Sequence, residues 1–186
     1  LTLHGGTSRV TENTVAVTIT VNPVNDAPVL DTTGGVNNRT LTSVAEDIAD
    51  ASNTGAAISA VVPVDLFSDP KDKSTETHST RGVDAYWGIL ITGNAALATE
   101  GEWQYWTGSA WVGITLASNE SLALAKETVI RFAPQGDYNG DPGKLTYRLI
   151  ETIEATDPDT TQAFTNATTY TNVAYTSTGR ISEATG

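Results

Sequence analysis

The residues from Asp137 to Gly143 read DYNGDPG and carry oxygen-bearing side chains at alternate positions. Asp137, Asn139 and Asp141 have the spacing that opens a calcium-binding loop, in which such side chains surround one hard cation. The glutamate that closes such a loop is missing at the expected distance. This absence counts against a calcium loop, which is the alternative to a plain turn.

Aromatic residues are concentrated in the segment GEWQYWTGSAWVGI, which is predicted to be a hairpin with a Thr-Gly-Ser-Ala turn. In a strand, Trp103 and Tyr105 face one side, whereas Gln104 and Trp106 face the other. Core packing is the usual role of such side chains in β domains. A platform that stacks on sugars is the alternative.

Trp106 is the first candidate for an exposed aromatic anchor, because it points away from Tyr105 in the predicted strand. An exposed tryptophan is a common contact for ligands and partner domains. Tyr86 and Trp87, which follow a charged segment, are the second candidates for ligand binding.

The chain has few of the residues that catalysis needs. It contains two histidines, His4 and His78, and no cysteine, and it has no G-x-S-x-G or phosphate-loop pattern. A Ser-His-Asp triad and a histidine-rich or thiolate metal site are therefore not predicted. The protein is predicted not to be an enzyme.

The charge balance restricts the partners. Twenty-two Asp and Glu residues against ten Lys and Arg residues give a net charge of −12. Such a surface repels phosphate backbones, so nucleic-acid binding is not expected. No apolar run reaches about 18 residues, so membrane insertion is not expected either. The acidic excess serves either solubility or the binding of hard cations such as Ca²⁺.

Short apolar segments separated by Gly, Pro, Asn and Asp predict an all-β fold, a β-sandwich. Two long segments without such a pattern, Ser68–Asp84 and Thr152–Gly179, are predicted to be loops with a special role or without fixed structure. The predicted strands are Arg39–Val44, Ala57–Val64, Gly88–Thr92, Glu102–Trp106, Ala110–Thr115, Ser121–Ala125, Thr128–Ala133 and Leu145–Glu151.

The N-terminal part divides at the stretch VNPVNDAPVL. Residues 14–21, TVAVTITV, have the period-2 pattern of a half-buried strand, and Pro23 and Pro28 then favour an extended connection. We therefore expect residues 1–24 to be the last strand of a preceding or split β domain with its linker, and residues 25–186 to be the sandwich. No signal peptide is visible, and the first residue, Leu1, suggests a piece of a longer protein.

The C-terminal end, ISEATG, lacks the apolar alternating strand with which a sandwich of this kind should finish. An unpaired sheet edge invites the addition of another strand. The N-terminal strand is therefore a candidate to fill that edge, in the same molecule or in a neighbour.

Four stretches together resemble a known family of repeats. VTITVNPVNDAPVL resembles the junction between tandem cadherin-like and bacterial immunoglobulin-like repeats of giant RTX adhesins, which Gram-negative bacteria export by type I secretion. SVAED, LFSDPKD and VIRFAPQGDYNGDPGKLTYRLIE then follow in the order that such repeats show, and GEWQYWTGSAW resembles a hairpin of one subfamily.

The resemblance implies an immunoglobulin- or cadherin-like β-sandwich with Greek-key-type connections, located at the bacterial cell surface. It also places Trp103, Tyr105 and Trp111 at the positions of the subfamily's hairpin, and it makes DYNGDPG a turn with Tyr138 packed inward. In such adhesins a module of this kind serves cell adhesion and biofilm formation.

The resemblance further implies Ca²⁺ at the seam between domains. Pro70 interrupts the plain Asp-x-Asp pattern and leaves the choice between two aspartates open, and the alternative is that these acids are only solvated. The implied ligands are Asn25 and Asp26 of the linker, Glu46 or Asp47 of the acidic turn, and Asp69 with Asp72 of the following loop.

Two functional hypotheses follow. The first is a rigid calcium-clamped extender that contacts neighbouring adhesin domains and holds a distal binding tip away from the cell. The second is a module near that tip that binds a glycan or a peptide, or a split domain that carries an inserted ligand-binding domain.

Overall fold

The structure is a computed structural model that describes residues 16–19, 25–31, 39–69, 85–152, 163–175, 179–182 and 185–186. These residues form short strands and very little helix. The strands are β1 (Val29–Leu30), β2 (Ala56–Ala57), β3 (Phe67–Ser68), β4 (Tyr86–Asn94), β5 (Gly101–Trp106), β6 (Trp111–Gly113), β7 (Glu120–Ala125), β8 (Val129–Pro134), β9 (Leu145–Glu151) and β10 (Thr168–Thr171). The helical pieces are α1 (Ile58–Val61) and a 3₁₀ turn (Val64–Leu66).

Two four-stranded antiparallel sheets form a β-sandwich. The first, which we name the β4 sheet, has the strand order β10-β7-β4-β9, and the second, the β5 sheet, has the order β2-β8-β5-β6. The chain crosses from one sheet to the other after β4, β6, β7 and β8, while β1 and β3 form a separate antiparallel pair. The predicted all-β sandwich is thereby confirmed.

Six of the predicted strands are present as β4 to β9, with ends shifted by a few residues. The two earliest predictions are wrong. Residues 39–44 belong to no strand. Of Ala57–Val64, only Ala57 is in a strand; the helical turn α1 (Ile58–Val61) follows it, and Val64 begins the 3₁₀ turn. Ile58 and Val62 are both buried in the core. The backbone N–H of Val62 donates to the carbonyl of Ile58 and closes that turn.

The main core fills the space between the two sheets. It is made of alternate residues of the central strands, which point inward together because side chains of a strand alternate between its faces. Burial of these aliphatic groups provides the main driving force for folding. The inward-facing residues include Ile89 and Ile91 of β4, Leu122 and Leu124 of β7, Ile130 of β8, and Tyr147 and Leu149 of β9.

The β4 sheet is also buried on its outer face. Leu90, Ala123 and Ile150, which alternate with the core residues, form a second apolar cluster with Ile181. Side chains from the region predicted to be a long loop cover this cluster, which explains why β4 and β7 are apolar at consecutive positions. The covering residues are Phe164, Tyr170 and Val173, joined by Trp87.

The C-terminal segment pairs with β9. Ile181 forms a β-bridge with Ile150, the backbone N–H of Glu151 donates to the carbonyl of Arg180, and the N–H of Ser182 donates to the carbonyl of Leu149. Among the described residues this is an isolated bridge and not a strand, but it occupies the edge of β9 that was expected to be vacant. A single buried isoleucine and backbone pairing are sufficient there, without an alternating apolar pattern.

The predicted N-terminal strand is described only at residues 16–19, and these residues lie in no strand. Val17 is 93% exposed and Ile19 is 87% exposed, so their side chains take no part in the core. The predicted half-buried strand is thus not formed in this chain at the residues described, and its place in a preceding or neighbouring domain remains a prediction.

The contrast between two isoleucines tests this division of the chain. Ile181→Ala removes a side chain that is 1% exposed and should lower the free energy of unfolding by about 2–5 kcal/mol. Ile19→Ala is the matched control and should change it by less than about 0.5 kcal/mol. Urea unfolding of both variants measures this. Comparable losses would show that the N-terminal segment does pack on the sandwich.

Candidate functional site

One end of the sandwich holds the segment that leads into β1. Asn25 is 1% exposed, and its side-chain amide donates to Glu151 Oε1 at 2.9 Å and to the carbonyl of Gly179 at 3.2 Å. Glu151, at the end of β9, has no exposed surface. The linker, the end of β9 and the start of the C-terminal segment therefore meet at this site, which we name the Asn25 pole.

A second carboxylate is buried at this pole. In the β1–β3 pair Val29 lies opposite Ser68. Continuing that register by one residue places Asp69, which is 2% exposed, beside Pro28. Asp26 is half-buried. A buried carboxylate is costly unless hydrogen bonds or a cation compensate it, so the pole is a place where charge must be balanced.

Part of that balance comes from Arg180. Its guanidinium is almost fully buried, and Nη2 donates to the backbone carbonyl of Glu151. Carboxylates and an amide are oxygen ligands of the kind that Ca²⁺ takes, so Asn25, Asp26, Asp69 and Glu151 suit the ion chemically. Within the described ranges, however, no three His, Cys, Asp or Glu side chains are grouped closely enough to hold a metal. Asp72 lies outside the described residues.

The acidic turn is elsewhere. Glu46 and Asp47 are exposed, and Glu46 Oε2 accepts a weak hydrogen bond from Asn139 at 3.4 Å. Asn139 precedes β9, whereas the Asn25 pole is at its other end, and seven residues of strand span about 20 Å. Glu46 and Asp47 are thus separated from Asn25 and Asp26, and their assignment as calcium ligands stays a prediction.

The stretch DYNGDPG forms the predicted turn. The backbone N–H of Tyr138 donates to the carbonyl of Gln135, and Asp137 has a positive φ of 62°. The Tyr138 ring lies 6.5 Å from that of Phe132, an edge-to-face contact at the end of the core.

The aromatic hairpin agrees with its pattern, with one correction. Trp103 and Tyr105 pack on the core, and Trp106 lies on the outer face of the β5 sheet. Trp111 also lies on that outer face and not with Trp103, because it pairs directly with Trp106 across the hairpin. Directly opposed residues of an antiparallel pair project to the same side. The two indole rings are 5.3 Å apart and tilted by 58°.

The other two candidate aromatics are already used in packing. Tyr86 is 2% exposed and packs on Phe67, and its burial raises the pKa of its hydroxyl. Trp87 is half-buried and stacks against Phe164 at 6.5 Å. Tyr86 is therefore enclosed by protein, and Trp87 covers the outer cluster of the β4 sheet.

Arg131 is a site residue that the sequence analysis missed. It is 2% exposed although it lies on the outer face of β8, between the inward-facing Ile130 and Phe132. Its guanidinium lies 4.1 Å from the centre of the Trp111 ring and forms an ion pair with Asp50 Oδ1 at 2.9 Å. Strand alternation places Arg131 on that face, but no sequence pattern indicates Asp50, 81 residues away.

No family model, no curated protein and no solved structure matches the chain. A search of the described residues finds no helix long and apolar enough to cross a membrane. The site is therefore interpreted from its own geometry.

The hydrogen bonds of Asn25 lead to a test. Asn25→Ala removes a donor to a carboxylate that has no access to water, and we expect unfolding to become easier by about 1–3 kcal/mol. Asn139→Ala, at the exposed contact with Glu46, is the control and should cost less than about 0.5 kcal/mol. Chemical denaturation of both variants measures the difference. An Asn25→Ala protein as stable as the control would mean that this amide does not hold the linker.

Proposed function

We propose that residues 25–186 form a non-catalytic, Ca²⁺-stabilised extracellular module of a large bacterial adhesin. The module acts as an extender that holds ligand-binding domains away from the cell for adhesion and biofilm formation. The observation that carries the proposal is the burial of Asn25 at the pole, where it bonds both Glu151 and Gly179.

This contact gives a fixed direction to the chain that enters the sandwich. An extender transmits length only if the connection to its neighbour does not swivel, and a linker residue hydrogen-bonded inside the sandwich limits such motion. Val17 and Ile19, exposed just before that linker, suit the sheet of a preceding module, as the period-2 pattern predicts. The likeness to tandem adhesin repeats supports the same arrangement.

Calcium would bind at the Asn25 pole. Asn25, Asp26 and Asp69 of the implied set would supply oxygen ligands, and the ion would offset the buried negative charge there. No three described carboxylates are grouped closely enough to hold a metal, so Asp72, outside the described residues, would have to complete the set. Glu46 and Asp47 lie near the opposite end of the sandwich and take no part in this proposal. Neighbouring adhesin domains are the partners that such a pole would face.

A ligand-binding module is the second candidate function. The half-exposed pair Trp106 and Trp111 on the outer face of the β5 sheet favours it. The hypothesis of a split domain was based partly on a vacant sheet edge at the C-terminal end. Residues 180–182 occupy that edge of β9, so this support for the hypothesis is lost.

Calcium dependence is tested by thermal unfolding in CaCl₂ and in EDTA. At a calcium concentration about 100-fold above the dissociation constant, binding adds about 2.7 kcal/mol, which raises the midpoint by about 5–10 °C for a chain of this size. Asp69→Asn should abolish this difference, whereas Asp47→Asn should retain it. For each variant the midpoint in calcium is compared with its own midpoint in EDTA. A change in the stability of the calcium-free protein therefore does not affect the difference.

Two results would contradict the proposal. If the wild-type protein unfolded at the same midpoint temperature in calcium and in EDTA, the protein would not be stabilised by Ca²⁺. If the difference in midpoint between calcium and EDTA remained in Asp69→Asn and disappeared in Asp47→Asn, the ion would bind at the acidic turn and not at the Asn25 pole.

A further inference from the structure

The outer face of the β5 sheet carries an ordered set of side chains that the extender function does not use. Trp106 and Trp111 form one cross-strand row at the closed end of the hairpin. Gln104, flanked by Arg131 on one side and Gly113 on the other, forms the next row. Glu102, opposite Ala133, forms the third. An aromatic surface thus continues into a polar surface along β5.

Arg131 holds the Trp111 ring of the aromatic row in place. The guanidinium stacks on Trp111 at 4.1 Å, and its N–H groups donate to Gln104 Oε1, to Asp50 and to the carbonyl of Asn53. A stacked arginine with so many partners has little freedom, so it fixes the indole plane before any ligand arrives. Its positive charge is used inside this network.

The polar end borders a cavity of about 540 Å³, whose lining includes Glu102, Gln104, Asn94, Thr115 and Gln135. Gln104 Nε2 donates to Glu102 Oε2 at 2.8 Å, which orients the exposed carboxylate. Gly113 makes room for that carboxylate, because a Cβ at this position would collide with Glu102 Oε1. Concave sites that combine a flat apolar surface with a few fixed polar groups are typical of small-ligand binding.

We propose that this surface, formed by Trp106, Trp111, Gln104 and Glu102, binds a neutral oligosaccharide. The C–H face of one sugar ring would stack on the tilted indole pair, and hydroxyls of a following ring would donate to Glu102 and bond with Gln104. Trp106 and Glu102 are four residues apart on β5, a separation of about 13 Å that leaves room for more than one ring.

Charge favours a neutral ligand. The enclosed guanidinium of Arg131 and the carboxylate of Asp50 form an ion pair and offset each other. Among the described residues of this surface, the charge outside that pair is the exposed carboxylate of Glu102, and the chain as a whole carries −12, so an acidic sugar or a phosphate would be repelled.

The pairing of β5 argues against an extended peptide. A peptide strand needs a free edge to which it can add its backbone, but along Gln104 to Tyr105 β5 is paired with β6 on one side and with β8 on the other. A peptide could add next to β6, the edge strand on this side of the sheet, which is only three residues long. The outer face of β5 itself offers side chains rather than a backbone ladder. Many hydroxyls, as a sugar has, match such side-chain partners better than a peptide does.

The test is isothermal titration of the whole chain with maltotetraose, cellotetraose and mannotetraose, in calcium and in EDTA. At least one should bind saturably under both conditions, because none of the residues that form this surface belongs to the Asn25 pole. Trp106→Ala and Glu102→Ala should each weaken binding by at least about tenfold. Tyr175→Ala is the matched control, since Tyr175 lies 4.0 Å over Arg148 on the other sheet, and it should bind as the wild type does.

A hyaluronan tetrasaccharide and a proline-rich decapeptide complete the panel. No saturable binding of any neutral tetrasaccharide would overturn the inference. So would preference for the anionic sugar or the peptide, or neutral-sugar binding that survives both Trp106→Ala and Glu102→Ala in variants with an unchanged unfolding midpoint. Binding of a sugar in EDTA would stand even if the calcium proposal failed, so the two are separable.

Discussion

Burial of both faces of the β4 sheet is the constraint on which the rest of the structure depends. The inner face packs on the β5 sheet, but Leu90, Ala123 and Ile150 would leave an apolar outer face in water if nothing covered it. The side chains of Phe164, Tyr170, Val173 and Ile181 lie on that face. Among the described residues the β4 sheet is thus covered on both faces, whereas Trp106 and Trp111 on the outer face of the β5 sheet stay half-exposed.

The same covering segment forms the Asn25 pole. When Ile181 packs beside Ile150, the preceding Gly179 and Arg180 come to the end of β9, where Asn25 and Glu151 meet. Packing of an apolar cluster therefore brings together a buried amide, buried carboxylates and a guanidinium. Such a buried polar cluster is stable only when its members form hydrogen bonds with one another. The linker and the C-terminal segment should therefore become ordered together and unfold together.

Much of the fold could be predicted from local pattern, and the site could not. Strands β4 to β9 follow from alternating or continuous apolar residues between turn residues. Whether Trp111 shares a face with Trp106 depends on the register of the hairpin. The turn sets this register, but a prediction from the sequence is easily wrong by one residue. Contacts such as Arg131 with Asp50, or Asn25 with Glu151, join residues far apart in the chain and leave no local pattern. The helical turn from Ile58 was missed because its residues are β-branched and small, as in a strand, and because residues four positions apart, such as Ile58 and Val62, share a face in a strand as well as in a helix.

A calcium titration followed through the backbone amide resonances tests the proposed calcium ion at the Asn25 pole. With calcium at that pole, the amides of Asn25, Asp26, Asp69 and Glu151 should shift progressively and saturate, while those of Glu46 and Asp47 remain in place. Absence of any shift, or shifts confined to the acidic turn about 20 Å away, would contradict it.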